Sequence, residues 1–437
     1  MRVALTFLFV ALTGVSLGNL AALERPYKIL MLLPAGSKSH KNFFMSIADA
    51  LAERGHRVVM LSGYPASSKN PNILEINHGL KEFDVENMNL FDFRNDPTGG
   101  FSILVDILPP MAKKLYNIPE VMELYHKRKT FDLIIVDQLM NEISGIFPDL
   151  PPLLDIERNQ SLTLINSHFS MDAAVPLLPS QVAVGAVHCR PANPLPKELE
   201  TWISGAGPEG VVYFSLGTVA RGTSMPVVYR DMFVEAFKRL KQRVIWKYDV
   251  ELDGISDNVL IQKWLPQQDI LGHPNVKVFI THGGLLSTQE SLYHATPVVA
   301  LPIFADQPKN ALTIQKQGVG VSLVWEELSV DLIIDSIQEV LNNPKYKRNA
   351  EQVRNLVRDQ PDTPKERAVF WIEYVVRHQG APRLESQAKK LTWVEFLMLD
   401  VLLVVHVVVY IAFCVLSWVV RALKGKLFPR NVKKKRD

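Results

Sequence analysis

Between Trp264 and Ala311 the chain reads WLPQQDILGHPNVKVFITHGGLLSTQESLYHATPVVALPIFADQPKNA, and its reactive residue types gather around His282-Gly283-Gly284. The apolar run Val276 to Thr281 has β character and stops at this tripeptide, and a helical pattern begins near Ser287. A strand–turn–helix joint with two glycines lets a ligand approach the backbone, and a helix N-terminus presents N–H groups that have no partner inside the helix. Such a joint suits a diphosphate. Residues fit for the rest of a sugar nucleotide stand nearby. Trp264 offers a ring on which a base can stack, Glu290 lies two turns into the helix where a carboxylate accepts ribose hydroxyls, and Asp306-Gln307 follows the strand-like run Pro297 to Pro302 with acceptors for sugar hydroxyls. A bare His-Gly-Gly is more often a turn, and an isolated Trp more often core. The array, not any one residue, carries the reading.

The elements that must position these groups follow from length and periodicity. At 437 residues, 47% of them apolar, the chain supports two to three domains. The formal charge is +3, yet the last seventeen residues hold eight Lys or Arg against Asp437, so the body without that tail is at −4. A basic surface for nucleic acid is therefore not expected. Only Cys189 and Cys414 occur, and Cys414 lies in an apolar run, so packing rather than a disulfide must stabilise the body. No Cys or His pair has ligand spacing, and no metal site is expected.

Residues 1–22 have one Arg, an apolar stretch from Val3 to Leu12 and small residues at the end, the pattern of a secretory signal peptide. The body, 23–190, then alternates: strand Ile29–Leu33, helix Asn42–Arg54, strand Arg57–Leu61, an irregular stretch to about Asn95, helices over Ser102–Lys114 and Pro119–Lys129, and strand Phe131–Val136. The run Leu162–Ile165 follows. The Pro-rich Pro191–Pro196 begins a linker at 191–209. A second unit, 210–390, has strands Val211–Ser215, Val244–Tyr248, Val259–Gln262, Val276–Thr281, Pro297–Pro302 and Val321–Leu323, with helices Val227–Leu240, Val330–Leu341, Lys345–Arg358 and Pro364–His378. Alternation predicts two α/β, doubly wound parallel sheets facing a cleft. Val401 to Val420 is long and apolar enough to cross a bilayer, within an expected transmembrane helix at 394–420, and the basic tail 421–437 assigns that end to the cytosol. Asp400 and His406 near the span read as an interfacial carboxylate and a neutral or partner-facing ring. The expected protein is single-pass type I with its body in the lumen; the sequon Asn159-Gln160-Ser161 agrees with that.

Taken together, W-x-P-Q-x-x-x-L-x-H-P, F-x-T-H-G-G, the later Glu and D-Q-x-x-N-A resemble the signature of UDP-glycosyltransferases of the UDP-glucuronosyltransferase family. The resemblance implies a GT-B arrangement of two Rossmann-like domains, the first for acceptor and the second for donor, with UDP-sugar as co-substrate, no cofactor and a small lipophilic acceptor. Such a transferase needs a base for the acceptor hydroxyl, and the resemblance puts it at His40 in SKSHKNFF, in the loop after the first strand. It makes Asp137, which ends FDLIIVD, the carboxylate that orients that imidazole. It likens Ser215-Leu216-Gly217-Thr218 to a phosphate loop and His282 to a charge-assisted pyrophosphate contact. Gln267 would meet the base or ribose, Lys247 stands where relatives often have Arg, and Gly283, Gly284 and Ser287 open the helix; Asp306 and Gln307 would hold the sugar. Attack opposite the leaving UDP would invert the anomeric centre. Lys434-Lys435 near the C-terminus matches a dilysine retrieval signal to the endoplasmic reticulum; a solvated stop-transfer tail is the alternative.

DIERNQSLTLINSHFSMDAAVPLLP looks like arthropod members, which are expected to favour UDP-glucose. Relatives carry a long segment with a further strand where this chain has only Gln138 to Pro152, with room for at most one short helix among Pro148, Pro151 and Pro152. Ile143 stands for a common Cys and Gly185-Ala186 for Gly-Gly. The leading expectation is an enzyme glycosylating lipophilic acceptors. The alternatives are a non-catalytic shortened variant that binds UDP-sugar or forms homo- or hetero-oligomers with full-length relatives, and a transferase acting on lipid precursors.

Overall fold

A computed structural model describes residues 25–81, 88–94, 101–137, 155 and 159–427. The expected signal peptide, the Gln138–Pro152 bridge with Ile143, and the end of the basic tail with its dilysine lie outside the described residues.

The first sheet is parallel and runs in the order β3-β2-β1-β4, from β1 (Lys28–Leu33), β2 (Arg57–Ser62), β3 (Ile73–Asn77) and β4 (Leu133–Val136). Helix α1 (Lys38–Glu53) joins β1 to β2 and buries Phe44, Ile47, Ala48 and Leu51 against the sheet. Helices α2 (Phe101–Leu115) and α3 (Pro119–Lys127) lead to β4. A separate parallel pair, β5 (Thr163–Ile165) and β6 (Gln181–Ala183), follows. Helix α4 (Lys197–Ser204) forms inside the stretch expected as linker, because Leu199 and Ile203 find an apolar seat against Val211 and Phe279.

The second sheet is six-stranded and parallel, β12-β11-β10-β7-β8-β9, from β7 (Val211–Ser215), β8 (Arg243–Lys247), β9 (Val259–Gln262), β10 (Val276–Thr281), β11 (Val298–Ala300) and β12 (Gly320–Ser322). Numbered within this half, the order is the doubly wound one in which strand direction of travel reverses between the first and fourth strands, here β7 and β10. The four described strands of the first sheet repeat the start of that order, with the reversal between β1 and β4. Connecting helices α5 (Val227–Arg239), α6 (Gln267–Leu271), α7 (Leu285–His294), α8 (Gln307–Lys316), α9 (Val330–Asn342) and α10 (Pro344–Arg358) surround the second sheet. Phe214 lies 4.7 Å from Phe233 and 5.3 Å from Trp246 between ring centroids, so strand β7 and helix α5 share one aromatic core.

Helix α11 (Pro364–Arg377) follows the second unit in chain order, yet it packs on the first: Ala368, Val369 and Ile372 join Ile29, Met31 and Ala48 in one cluster. Its Glu373, 1% exposed, accepts hydrogen bonds from Arg54 Nε (2.6 Å), His56 Nε2 (3.0 Å) and Arg377 (3.1 Å). His56 Nδ1 accepts from the Tyr27 N–H at 3.1 Å, so its proton sits on Nε2 and the ring donates to Glu373 while neutral. The returning helix is thereby fastened to the first sheet by a buried carboxylate.

The expected membrane helix is divided. A capping box on Thr392 and Glu395 starts a short helix α12 (Trp393–Phe396), Met398 turns with φ 50°, and α13 runs unbroken over Leu399–Leu427. Within Leu399–Lys424 the most apolar eighteen-residue window has a mean hydropathy of 2.7 and no buried residue, so this helix is long and apolar enough to span a membrane. The basic residues beyond Val420 do not stop it, since Arg, Leu and Lys are good helix formers.

Candidate active site

A cavity of about 1550 Å³ lies between the two halves, and all the expected site residues line it except Gly283. Topology explains the convergence. The carboxyl ends of β7 and β10, adjacent parallel strands, deliver Ser215-Leu216-Gly217-Thr218 and His282-Gly283-Gly284 side by side at the reversal of the second sheet. The carboxyl ends of β1 and β4 do the same for His40 and Asp137; Leu32 is in register with Val136, one residue before Asp137. In open α/β sheets such reversals are where ligands bind.

The imidazole of His282 is the centre of the donor-side loop. A Cβ added to Gly217 would lie 2.7 Å from its Cε1, and one added to Gly284 2.5 Å from its Nε2, so both glycines are required for the ring to fit. Gly217 also has φ +84°, where a side chain is strained. Ser215 Oγ accepts from the Gly217 N–H at 3.2 Å, and Lys247 Nζ donates to the Gly217 carbonyl at 2.6 Å. Burial, with the Lys247 charge beside it, holds His282 down to about 4. The ring is therefore neutral at pH 7, and the positive charge beside it belongs to Lys247. Thr218 Oγ1 is buried with no hydrogen-bond partner among the described residues.

A second network fixes the carboxylate of helix α7. Gln267 Nε2 donates to Glu290 Oε2 at 2.6 Å and to Ser287 Oγ at 3.0 Å, while Gln267 Oε1 accepts from Tyr213 Oη at 3.1 Å. Burial raises the Glu290 carboxyl to about 7 against the pull of Gln267, Gln268 and Arg190. His188 Nε2 stands 3.8 Å from Glu290 Oε1, but burial holds His188 down to about 4, so the two are never both charged and do not form an ion pair. Nearby, Gln307 Oε1 accepts from the Ile303 and Phe304 N–H groups, which shapes the loop carrying Asp306. Asn310, the Asn of D-Q-x-x-N-A, is a further residue of the site: its Nδ2 donates to both the Gly283 carbonyl (2.9 Å) and Asp306 (2.7 Å), tying the two loops together.

On the other wall His40 is the third residue of α1, whose N-cap is Ser37. Ser37 Oγ is 3.1 Å from His40 Nδ1 and accepts from the His40 N–H at 3.3 Å. Gly36, at φ +124°, lets the backbone pass within contact of the His40 side chain. Lys41, 4% exposed, reaches Glu75 and the Pro65 carbonyl, both at 2.5 Å, and so anchors the same turn. Lys38 crosses to the second half: its Nζ lies 3.7 Å from the ring centroid of Trp264, which is 55% exposed. Sequence reasoning missed Ser37 and Lys38. An N-cap Ser before a helical pattern was a readable signal for the first; nothing local pointed to the second.

Comparison with known proteins decides the family. A family profile described as UDP-glucoronosyl and UDP-glucosyl transferase matches residues 121–433. The chain belongs to this family. It is 30% identical to UDP-glycosyltransferase UGT5 of Dactylopius coccus, over 86% of this chain and 88% of that one. It is 38% identical to UDP-glucuronosyltransferase 2B19 of Macaca fascicularis, over 63% of this chain and 53% of that one. The alignment with UGT5 spans 473 positions, more than this chain's 437 residues, so part of that relative faces no residue here. A solved structure of a UDP-glucosyltransferase from Polygonum tinctorium, capable of glucosylating indoxyl, in complex with 3,4-dichloroaniline, superposes with a TM-score of 0.59 at 16% identity, over 81% of this chain and 99% of that one. The fold is thus GT-B, two Rossmann-like domains facing a cleft, with one additional apolar C-terminal helix.

Proposed function

We propose that this UDP-glycosyltransferase moves glucose or glucuronic acid from its UDP carrier to a hydroxyl of a small lipophilic acceptor, with inversion. The observation that carries the reading is the facing of two sheet reversals across one cavity, the His282 loop on one side and His40 on the other. In this reading the diphosphate lies on Ser215, Gly217, Thr218 and the His282-Gly283-Gly284 turn, with Lys247 supplying charge. The base stacks on Trp264 beside Gln267, the ribose hydroxyls donate to Glu290 with Ser287 near, and Asp306 and Gln307 hold the sugar.

His40 Nε2 takes the acceptor's hydroxyl proton as that oxygen bonds to the anomeric carbon. The bond from that carbon to the β-phosphate oxygen breaks, and its electron pair leaves with UDP. Asp137, at the end of the strand next to β1, stabilises the imidazolium that forms. Attack from the face opposite UDP turns an α-linked donor into a β-glycoside. The apolar wall around His40, including Phe43, Leu133, Ile134 and Leu162, suits an acceptor that partitions into lipid. The C-terminal helix would anchor the body on the lumenal side of the endoplasmic-reticulum membrane.

The test uses microsomes carrying the full chain, given UDP-glucose or UDP-glucuronate and a panel of phenols, with UDP release as readout. Acceptor-dependent release that is lost in His40→Ala supports the enzyme. The short Gln138–Pro152 segment of the sequence motivates one second reading, a non-catalytic binder. That reading is supported by UDP binding with no release from either donor.

A further inference from the structure

Ser37 lies outside every residue assigned above to the reaction, yet its hydroxyl is the described group hydrogen-bonded at His40 Nδ1, the place expected for Asp137; the Asp137 carboxylate is left to act on the imidazolium through its charge, and the proton arrangement of the ring turns on Ser37. Its side chain is the N-cap of α1 and is 3% exposed. Its Oγ lies 3.3 Å from the His40 backbone nitrogen, 3.1 Å from His40 Nδ1 and 2.6 Å from Ser39 Oγ. A hydroxyl offers one proton and two lone pairs. The backbone N–H can only donate, so it takes one lone pair. Two arrangements of the other protons remain. If Ser39 donates to Ser37, the Ser37 proton goes to His40 Nδ1, the ring proton sits on Nε2, and that nitrogen has no lone pair for an acceptor hydroxyl. If Ser37 donates to Ser39, its second lone pair receives Nδ1–H, and Nε2 is left basic.

We infer that the second arrangement operates and that Ser37 is the positioning residue of His40, selecting the tautomer whose Nε2 faces the acceptor. This rests on His40 being the base. The reason lies in the proton transfer itself. Once Nε2 has gained a proton both ring nitrogens carry one, and a Ser37 hydroxyl already pointing at Nδ1 would then oppose a second donor. With Ser37 accepting from Nδ1, the hydrogen bond persists and strengthens as the ring becomes charged, with no reorganisation of the turn. The turn is built to stay still: Gly36 at φ +124° abuts His40, the Gly36 carbonyl accepts from Tyr64 Oη at 3.3 Å, and Lys41 is clamped on Glu75.

Variants of Ser37 separate its two tasks. Glycine is nearly as good as serine at a helix N-cap but removes the acceptor, whereas aspartate caps as well and accepts Nδ1–H more strongly. Ser37→Gly should lower kcat by about twofold to tenfold, the worth of one neutral hydrogen bond, and leave KM for the UDP-sugar unchanged. Ser37→Asp should keep kcat and move the acidic limb of its pH profile upward, because a carboxylate on Nδ1 favours the imidazolium. A readout independent of turnover is the ¹⁵N spectrum of histidine-labelled full chain, with the His40 signals assigned by their loss in His40→Gln. The expected result is a protonated Nδ1 and an unprotonated Nε2, becoming a tautomer mixture in Ser37→Gly. A wild-type ring protonated on Nε2, or a Ser37→Gly chain with unchanged tautomer and kcat, overturns the assignment. His40→Ala separates the layers: if it turns over normally the base reading fails, whereas an inactive His40→Ala beside a normal Ser37→Gly removes only the role given to Ser37.

Discussion

Replacing Glu290 with glutamine should strengthen the fold and weaken donor binding, both in a pH-dependent way. Burial raises this carboxyl from 4.5 to about 7. Ionising it in the folded protein therefore costs about 3 kcal/mol more than ionising it in the unfolded chain, at about 1.4 kcal/mol per pKa unit. The folded state binds the proton more tightly, so this group's contribution is neutral below pH 4.5, becomes unfavourable as pH rises to 7 and stays so above it. Glutamine has no proton to lose and can still accept from Gln267 Nε2. The stability gain of Glu290→Gln should accordingly grow from near zero at pH 4 toward about 3 kcal/mol at pH 8, as an upper figure. Donor binding runs the other way. If the carboxylate accepts ribose hydroxyls, protons compete with UDP, and wild-type affinity should fall by up to about tenfold for each pH unit below 7. His282 and His188, both held at about 4, do not titrate in that range. Thermal midpoints at pH 5 and pH 8 measure the first effect, and calorimetric UDP titrations from pH 5.5 to 8.5 the second. A wild-type affinity that is flat over that range, or a variant no more stable than wild type at pH 8, would refute the reasoning.

Other outcomes follow from the same geometry. A base stacking on the covered face of Trp264 has to displace Lys38, so Lys38→Ala should tighten UDP binding by about 2- to 5-fold, the worth of a cation–π contact at an exposed ring, as read by calorimetry. Gly284→Ala puts a methyl 2.5 Å from His282 Nε2, and UDP affinity should be lost while the thermal midpoint changes little, because the clash is confined to the site. Glu373→Ala leaves Arg54, Arg377 and His56 around a missing carboxylate, and denaturation should show a loss of about 3–5 kcal/mol.

The parallel strands of the second sheet were legible because their Val, Ile and Leu runs have no amphipathic rival reading: Val211–Ser215 and Val276–Thr281 in its buried centre and Val259–Gln262 at its half-buried edge fold over the residues expected. Strands β3 and β6 were missed. ILEIN alternates polar with apolar, and QVA is too short to carry a period. Phe131–Val136 was legible as a strand but not its place in the sheet: β4 ends the described sheet with Ile134 42% exposed, since strand order is a tertiary fact. The break at Met398 and the return of α11 to the first sheet were equally invisible to local pattern. In the site, residues announced by glycines and motif spacing came together around one cavity. Ser37, Lys38 and Asn310 act across loops or domains, and only coordinates join them to His40, Trp264 and Gly283.

The central claim is that uridine diphosphate binds where the β7 and β10 loops meet, opposite a base it does not touch. Calorimetric titration of UDP into the detergent-solubilised full chain tests it most directly, with Gly284→Ala and His40→Ala alongside. The account predicts one UDP per chain, binding abolished by Gly284→Ala and unchanged by His40→Ala. Binding that survives Gly284→Ala, or that disappears with His40→Ala, would contradict it.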